Sequence, residues 1–246
     1  MKEKTGIAET ILWSALVLVL LSITVAFVLD LGKGRPVPGS TSPPAIFHNG
    51  ERAVDQLPVI APVNPFVLTN QAGAVFSRTN LDAKVWIADI IFTRCPGPCA
   101  TMTTRMAELQ RLIPAHLPVQ FVSLTTDPEH DQPAVLARYA EKFSADPARW
   151  NFLTGEKADI VEVATAGLKL VARPKEAPDR TSVNDLFIHS TVFAIVDKWG
   201  RLRGVFETLG PDAGEDAPVA VVDPWETELK PRLLRAVETL VQEESP

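Results

Sequence analysis

Val85-Trp86-Ile87-Ala88-Asp89-Ile90-Ile91-Phe92-Thr93-Arg94-Cys95-Pro96-Gly97-Pro98-Cys99 contains both cysteines of the 246-residue chain. Val85 to Phe92 is a near-continuous apolar run rich in β-branched and aromatic residues, the pattern of a central strand buried on both faces. From Met102 to Ile113 apolar residues recur at helical spacing. Pro98 suits the first helical position, which puts Cys99 in the first turn and Cys95 in the preceding loop. The partial positive charge and unpaired N–H groups of a helix start favour thiolate over thiol. Three residues separate the cysteines. This spacing permits the Cα separation of about 4.4–6.8 Å that a disulfide needs, and it equally lets two thiolates hold a soft ion such as Cu(I). A thioredoxin-type redox pair has two intervening residues instead.

Outward from this turn, Phe66–Thr69 and Ala74–Phe76 flank Asn70-Gln71-Ala72-Gly73 as a hairpin. Val119–Leu124 reads as the next strand and Pro133–Phe143 as a helix with proline in its first turn. Phe152-Leu153 reads as a short strand, Lys157–Gly167 as a helix, and Val192–Val196 as a strand. Asp197-Lys198-Trp199-Gly200 turns the chain into Leu202–Phe206, and a last helix runs from Trp225 or Pro231 to Gln242. Strand, helix, strand, helix, then a hairpin and a helix predict an α/β fold of thioredoxin-like type.

The net charge of −6 with an ordinary charged fraction offers no basic surface for nucleic acid. Residues 11–29 carry no charge and are almost wholly apolar. As a helix they extend about 28 Å, close to the roughly 30 Å of a hydrocarbon core. The run exceeds the 7–15 apolar residues usual in a signal peptide, and Phe27-Val28-Leu29-Asp30 is a poor cleavage site. The reading is therefore an N-terminal transmembrane helix with residues 1–10 in the cytoplasm, a Pro-rich tether at 30–57, and a domain at 58–246. The expected location is a bacterial inner (cell) membrane, crossed once, with the domain on the periplasmic or extracytoplasmic side.

Candidates for a third metal ligand are His48, His116, His130 and His189. His48 lies in the tether and His116 between a helix and a strand. His130 follows a central strand within Thr126-Asp127-Pro128-Glu129-His130-Asp131, and His189 follows a polar loop at Pro174–Asp185. Spacing alone does not choose between His130 and His189.

Phe92-Thr93-Xaa-Cys95-Pro96-Xaa-Xaa-Cys99, Thr126-Asp127-Pro128-Glu129-Xaa-Asp131-Xaa-Pro133, Leu153-Thr154-Gly155 and His189-Ser190 occur in that order. Together these motifs resemble the Sco/SenC family of copper-insertion proteins over about residues 60–206. The resemblance implies a thioredoxin-like copper-binding domain with one copper, as Cu(I) or Cu(II), held by Cys95, Cys99 and His189. It also implies a task, delivery of copper to the binuclear CuA site of cytochrome c oxidase. The partners it implies are a copper donor protein and the oxidase's copper-site subunit or another acceptor. Asp127 occupies the family's Asp-Pro position, where a capping or turn role competes with a role beside the metal. Five positions depart from the family pattern: Gly97 and Pro98 between the cysteines, Ala100 after the second, His130 where arginine is common, and Ile188 where an acid usually precedes the histidine. None removes a ligand.

Two functions follow from these residues. One is a tethered metallochaperone. The other is a membrane-tethered thiol–disulfide oxidoreductase, in which Cys95 and Cys99 form the catalytic redox pair that reduces a partner's cysteines.

Overall fold

The computed structural model describes residues 57–95, 97–170, 172–174, 187–189, 191–209 and 223–244. The strands are β1 (Ala61–Pro62), β2 (Val67–Asn70), β3 (Val75–Ser77), β4 (Val85–Ile91), β5 (Val119–Thr125), β6 (Trp150–Thr154), β7 (Ala172–Pro174), β8 (Phe187–His189), β9 (Val192–Val196) and β10 (Arg201–Glu207). The α-helices are α1 (Pro98–Leu112), α2 (Pro133–Lys142), α3 (Lys157–Glu162) and α4 (Lys230–Gln242). Eight strands form one sheet in the order β1-β10-β9-β4-β5-β6-β2-β3, while β7 and β8 pair separately.

β4 is central, and all seven of its residues are buried because helices and loops cover both faces. Its parallel neighbour β5 is in register from Val85↔Val119 to Ile91↔Thr125, and β9 runs antiparallel on the other side. The two-residue period sorts the apolar side chains into two layers. Val85, Ile87 and Ile91 of β4 join Phe121, Trp150, Phe152 and Phe193 beneath α1, α2 and α4. Trp86, Ala88 and Ile90 face the opposite way, onto Phe66, Leu68, Leu81, Ile160 and Leu170.

Most predicted elements form within one or two residues of their expected ends. The Asn70–Gly73 turn closes as expected: the Asn70 side chain accepts the N–H groups of Ala72 and Ala74, and Gly73 takes φ +76. Two helices differ at their ends. α3 widens over Val163–Gly167 into a π-type turn, and another π-type turn at Trp225–Leu229 precedes α4. Pro231, in the first turn of α4, has no N–H to donate. The turn before it uses the longer bond from Leu229 N–H to the Pro224 carbonyl. β1 lies within the proline-rich approach and pairs only at the sheet edge, where proline is tolerated. β7 and β8 bracket the expected polar loop; at three residues each, they are too short for periodicity to reveal.

Among the described residues no helix is long and apolar enough to cross a membrane. The predicted anchor at 11–29, His48 and most of the tether lie outside the described residues.

Candidate metal centre

β4 delivers the chain to Phe92, whose carbonyl accepts the Cys95 N–H at 3.1 Å and closes a tight turn. α1 then starts at Pro98 and carries Cys99 in its first turn, as the sequence predicts. Both cysteines are thiols; Cys99 is buried and Cys95 is partly exposed.

The acid–base character of Cys99 runs opposite to the expectation from a helix start. Its pKa is pushed far above the ordinary thiol range, first by a hydrogen bond with the Cys95 sulfur, then by burial and the adjacent Cys95 charge. The backbone of Phe92 pulls the other way, and Asp89 adds a smaller upward push. Two interacting thiols titrate as a pair.

The sequence reading missed Asp89 as a feature of the site. It lies on β4 between Ile87 and Ile91, opposite Ser123 in the register, and is wholly buried. Alternation puts it on the face covered by α1 and α2. Its charge also raises the pKa of Tyr139 on α2, although burial is the larger cause. The Tyr139 hydroxyl hydrogen-bonds Thr103 Oγ1 at 2.9 Å, and Thr103 donates to the Cys99 carbonyl at 2.8 Å. A carboxylate within an otherwise apolar strand is the signal that could have found it.

The Asp-Pro loop meets the cysteine loop across the ends of β4 and β5. Asp127 accepts from Arg94 Nη2 at 2.5 Å, and its carbonyl accepts the N–H groups of His130 and Asp131. It thus shapes a turn and is also ion-paired beside the cysteines. Asp131, wholly buried, accepts from Thr93 N–H at 3.0 Å, Thr93 Oγ1 at 2.5 Å and Thr125 Oγ1 at 2.6 Å. His130 is exposed, with Nδ1 2.9 Å from Asp131 Oδ1. Asp127, His130 and Asp131 bring their ligand atoms within 4.8 Å of one another. Arg94 and the threonine donors already occupy oxygens of both carboxylates.

His116 is exposed just before β5, at the sheet end opposite the cysteines. His189 ends β8, with Ala172 as its backbone partner. Three residues later Val192 begins β9, which is antiparallel to β4 and therefore starts where β4 finishes. Thr208 bonds the Thr191 carbonyl through both its N–H (3.0 Å) and its hydroxyl (2.5 Å), holding the entry to β9. The side chains of Ile188 and His189 lie outside the described residues, as does most of the acidic loop at 208–223.

A parallel βα unit whose strand end and helix start carry paired thiols, extended by an antiparallel hairpin and a final helix, defines a thioredoxin-like dithiol protein. Residues 56–217 match the SCO1/SenC family model. The chain belongs to that family. It is 34% identical over 142 residues to the "SCO1 protein homolog" of Bacillus subtilis (strain 168), covering 57% of this chain and 70% of the relative. Among solved structures, BsSco, described as a member of the Sco family of cytochrome c oxidase assembly proteins, has a TM-score of 0.59 at 26% identity. That alignment covers 77% of this chain and 98% of BsSco. ScoI of Bradyrhizobium japonicum, solved with copper bound, shares the fold with a TM-score of 0.53 at 23% identity; 73% of this chain and 98% of ScoI are covered.

Proposed function

We propose that this chain is a membrane-anchored copper metallochaperone that delivers copper to the CuA site of cytochrome c oxidase. Copper is its cargo. Residues 11–29 anchor it in the inner membrane and the domain works on the extracytoplasmic side. Cys95 and Cys99 are the sulfur ligands and His189 is the third ligand. The observation carrying the reading is the sulfur pair itself: two thiols joined by a hydrogen bond at a strand–helix turn, one partly exposed and one buried. Soft sulfur selects Cu(I), and an added imidazole suits Cu(II) as well. The partly exposed Cys95 offers an incoming acceptor a ligand to exchange first. The copper-bound relative and the assembly role named for BsSco support the same reading.

The test uses the reduced full-length chain in mild detergent, titrated with Cu(I) against a competing chelator and with Cu(II) by visible absorption. The expected result is about one copper per chain, lost in Cys95→Ser and weakened in His189→Ala. Copper uptake unchanged by His189→Ala would remove that ligand from the proposal.

The unequal exposure of the sulfurs also supports a second reading, a tethered thiol–disulfide reductase. The Cys95 thiolate attacks a partner disulfide and forms a mixed disulfide, releasing one partner thiolate. Cys99 then gives up its proton and displaces the second. Two electrons pass to the partner, leaving a Cys95–Cys99 disulfide. Catalytic reduction of a protein disulfide by a preparation that takes up no copper would favour this reading.

A further inference from the structure

β4 and β5 are paired in register to their last residues, Ile91 and Thr125, and one further backbone bond, Thr126 N–H to the Ile91 carbonyl, extends the pairing. Beyond it both loops leave the sheet. The cysteine loop has the bond from Cys95 N–H to Phe92, but this holds the turn only to itself. Its ties to the rest of the domain include Arg94, exposed and paired with Asp127, and Thr93, gripped by Asp131. The second is the stronger device. Asp131 is wholly inaccessible to solvent and takes both the N–H and the hydroxyl of Thr93. The same carboxylate accepts the Thr125 hydroxyl at the end of β5 and faces His130 Nδ1.

An ionised carboxylate suits this arrangement best. A threonine N–H and two threonine hydroxyls converge on its two oxygens, and an ionised carboxyl group is a pure acceptor. An amide can keep the Thr93 N–H on its oxygen, but it must reverse the Thr93 hydroxyl and His130 bonds and loses the charge that strengthens all four contacts. The double grip fixes the backbone two residues before Cys95, on the strand side of the cysteine turn. Two sulfurs can share one ion, or one bond, only if they are held together in advance.

From this we infer that Asp131 is a positioning residue for the metal centre: through Thr93 it locks the Cys95 loop to the end of β5 and so keeps the Cys95 sulfur against Cys99. The inference rests on the proposed role of the two cysteines as copper ligands.

Two quantities test it, both measured on the full-length chain in detergent. One is the equilibrium constant of the Cys95–Cys99 dithiol against a glutathione redox buffer, in which the dithiol gives two electrons and two protons to glutathione disulfide. The other is Cu(I) affinity by chelator competition. Asp131→Asn is expected to shift the thiol equilibrium at least tenfold towards the dithiol and to weaken copper at least tenfold. Thr93→Val, which removes only the hydroxyl tie, shifts both in the same direction by a smaller factor, and Thr93→Ser restores wild-type values. Asp197→Asn, which removes an equally buried carboxylate from the far end of the sheet, leaves both unchanged per folded molecule. Wild-type values for both quantities in folded Asp131→Asn would overturn the inference. Should that variant fail to fold, wild-type values in Thr93→Val would overturn it. If the unsubstituted chain takes up no copper, the metallochaperone reading falls, and the glutathione equilibrium still decides the grip of Asp131 on the cysteine loop.

Discussion

Asp131 and Asp197 are both wholly buried, one at each end of the central strands. At the far end, Asp197 accepts the N–H groups of Trp199 and Arg201, Arg201 Nε at 2.7 Å and Arg203 Nη1 at 2.9 Å. All of these donors lie within six residues of it, and two guanidinium groups balance its charge. At the cysteine end, Asp131 has no arginine or lysine partner among the described residues, and two of its four polar contacts come from Thr93, 38 residues away. The first aspartate closes a hairpin from within. The second joins two loops that share no local sequence. A turn that holds itself contributes stability and can be read locally. A tie between distant loops carries little of the hairpin's self-sufficiency, but it can set the place of a reactive side chain.

The largest test of this contrast is stability. Asp197→Asn breaks a buried ionic cluster and is expected to cost about 3 kcal/mol, within the range for uncompensated buried partners. Denaturant midpoints measure the loss. A cost below about 1 kcal/mol would show that the far end is not held by its charge cluster.

The pH dependence of copper binding sharpens the other side. The raised pKa of Cys99 means that copper must displace its proton throughout the neutral range. Apparent Cu(I) affinity should therefore rise with pH, by about tenfold, or about 1.4 kcal/mol, per unit for each proton displaced. Chelator competition at several pH values gives the slope. A flat profile would mean that the pair binds copper without losing that proton.

Gly200 probes the hairpin without touching its charges. It takes φ +75, and an added Cβ would sit 2.5 Å from Arg78 Nη1. Gly200→Ala should cost about 1–2 kcal/mol in thermal or chemical unfolding and leave copper uptake unchanged.

The smallest effect belongs to Glu108, nine residues along α1 from Cys99. Burial raises its pKa, but hydrogen bonds from Lys230 and Trp225 outweigh burial and hold it below the usual value. A carboxyl with a depressed folded pKa adds stability above its unfolded pKa and loses it as pH falls through the folded one. Glu108→Gln should thus cost about 0.5–1 kcal/mol at neutral pH, with the difference vanishing in acid, as read from unfolding curves. A penalty independent of pH would assign the loss to packing of α4 instead.

Much of the fold was legible because its signals are local. The apolar run of β4, the proline at the start of α1, the Asn70–Gly73 turn and the Asp197–Gly200 turn each state their structure within a few residues. The loop position of Cys95 and the first-turn position of Cys99 were legible for the same reason. The direction of the Cys99 pKa was not. A helix start lowers a thiol pKa, but the sulfur–sulfur hydrogen bond, burial and the Cys95 charge outweigh it, and Asp89 adds a smaller push from the face that strand alternation turns beneath α1. The histidines show the same division. Sequence spacing left His130 and His189 open, whereas in the fold the Asp131 contact engages His130, and the strand directions put His116 at the far end of the sheet.

By itself the sequence determined the strand–turn–helix unit, the two-thiol site upon it and the succession of elements around it, because hydrophobic period, proline geometry and turn chemistry act over short stretches. Only the tertiary structure decided which distant groups meet that site: Asp131 gripping Thr93, and the start of β9 beside the end of β4. These meetings depend on sheet order and register, which bring residues 38 or more positions apart into contact through non-local pairing that no short window of sequence encodes.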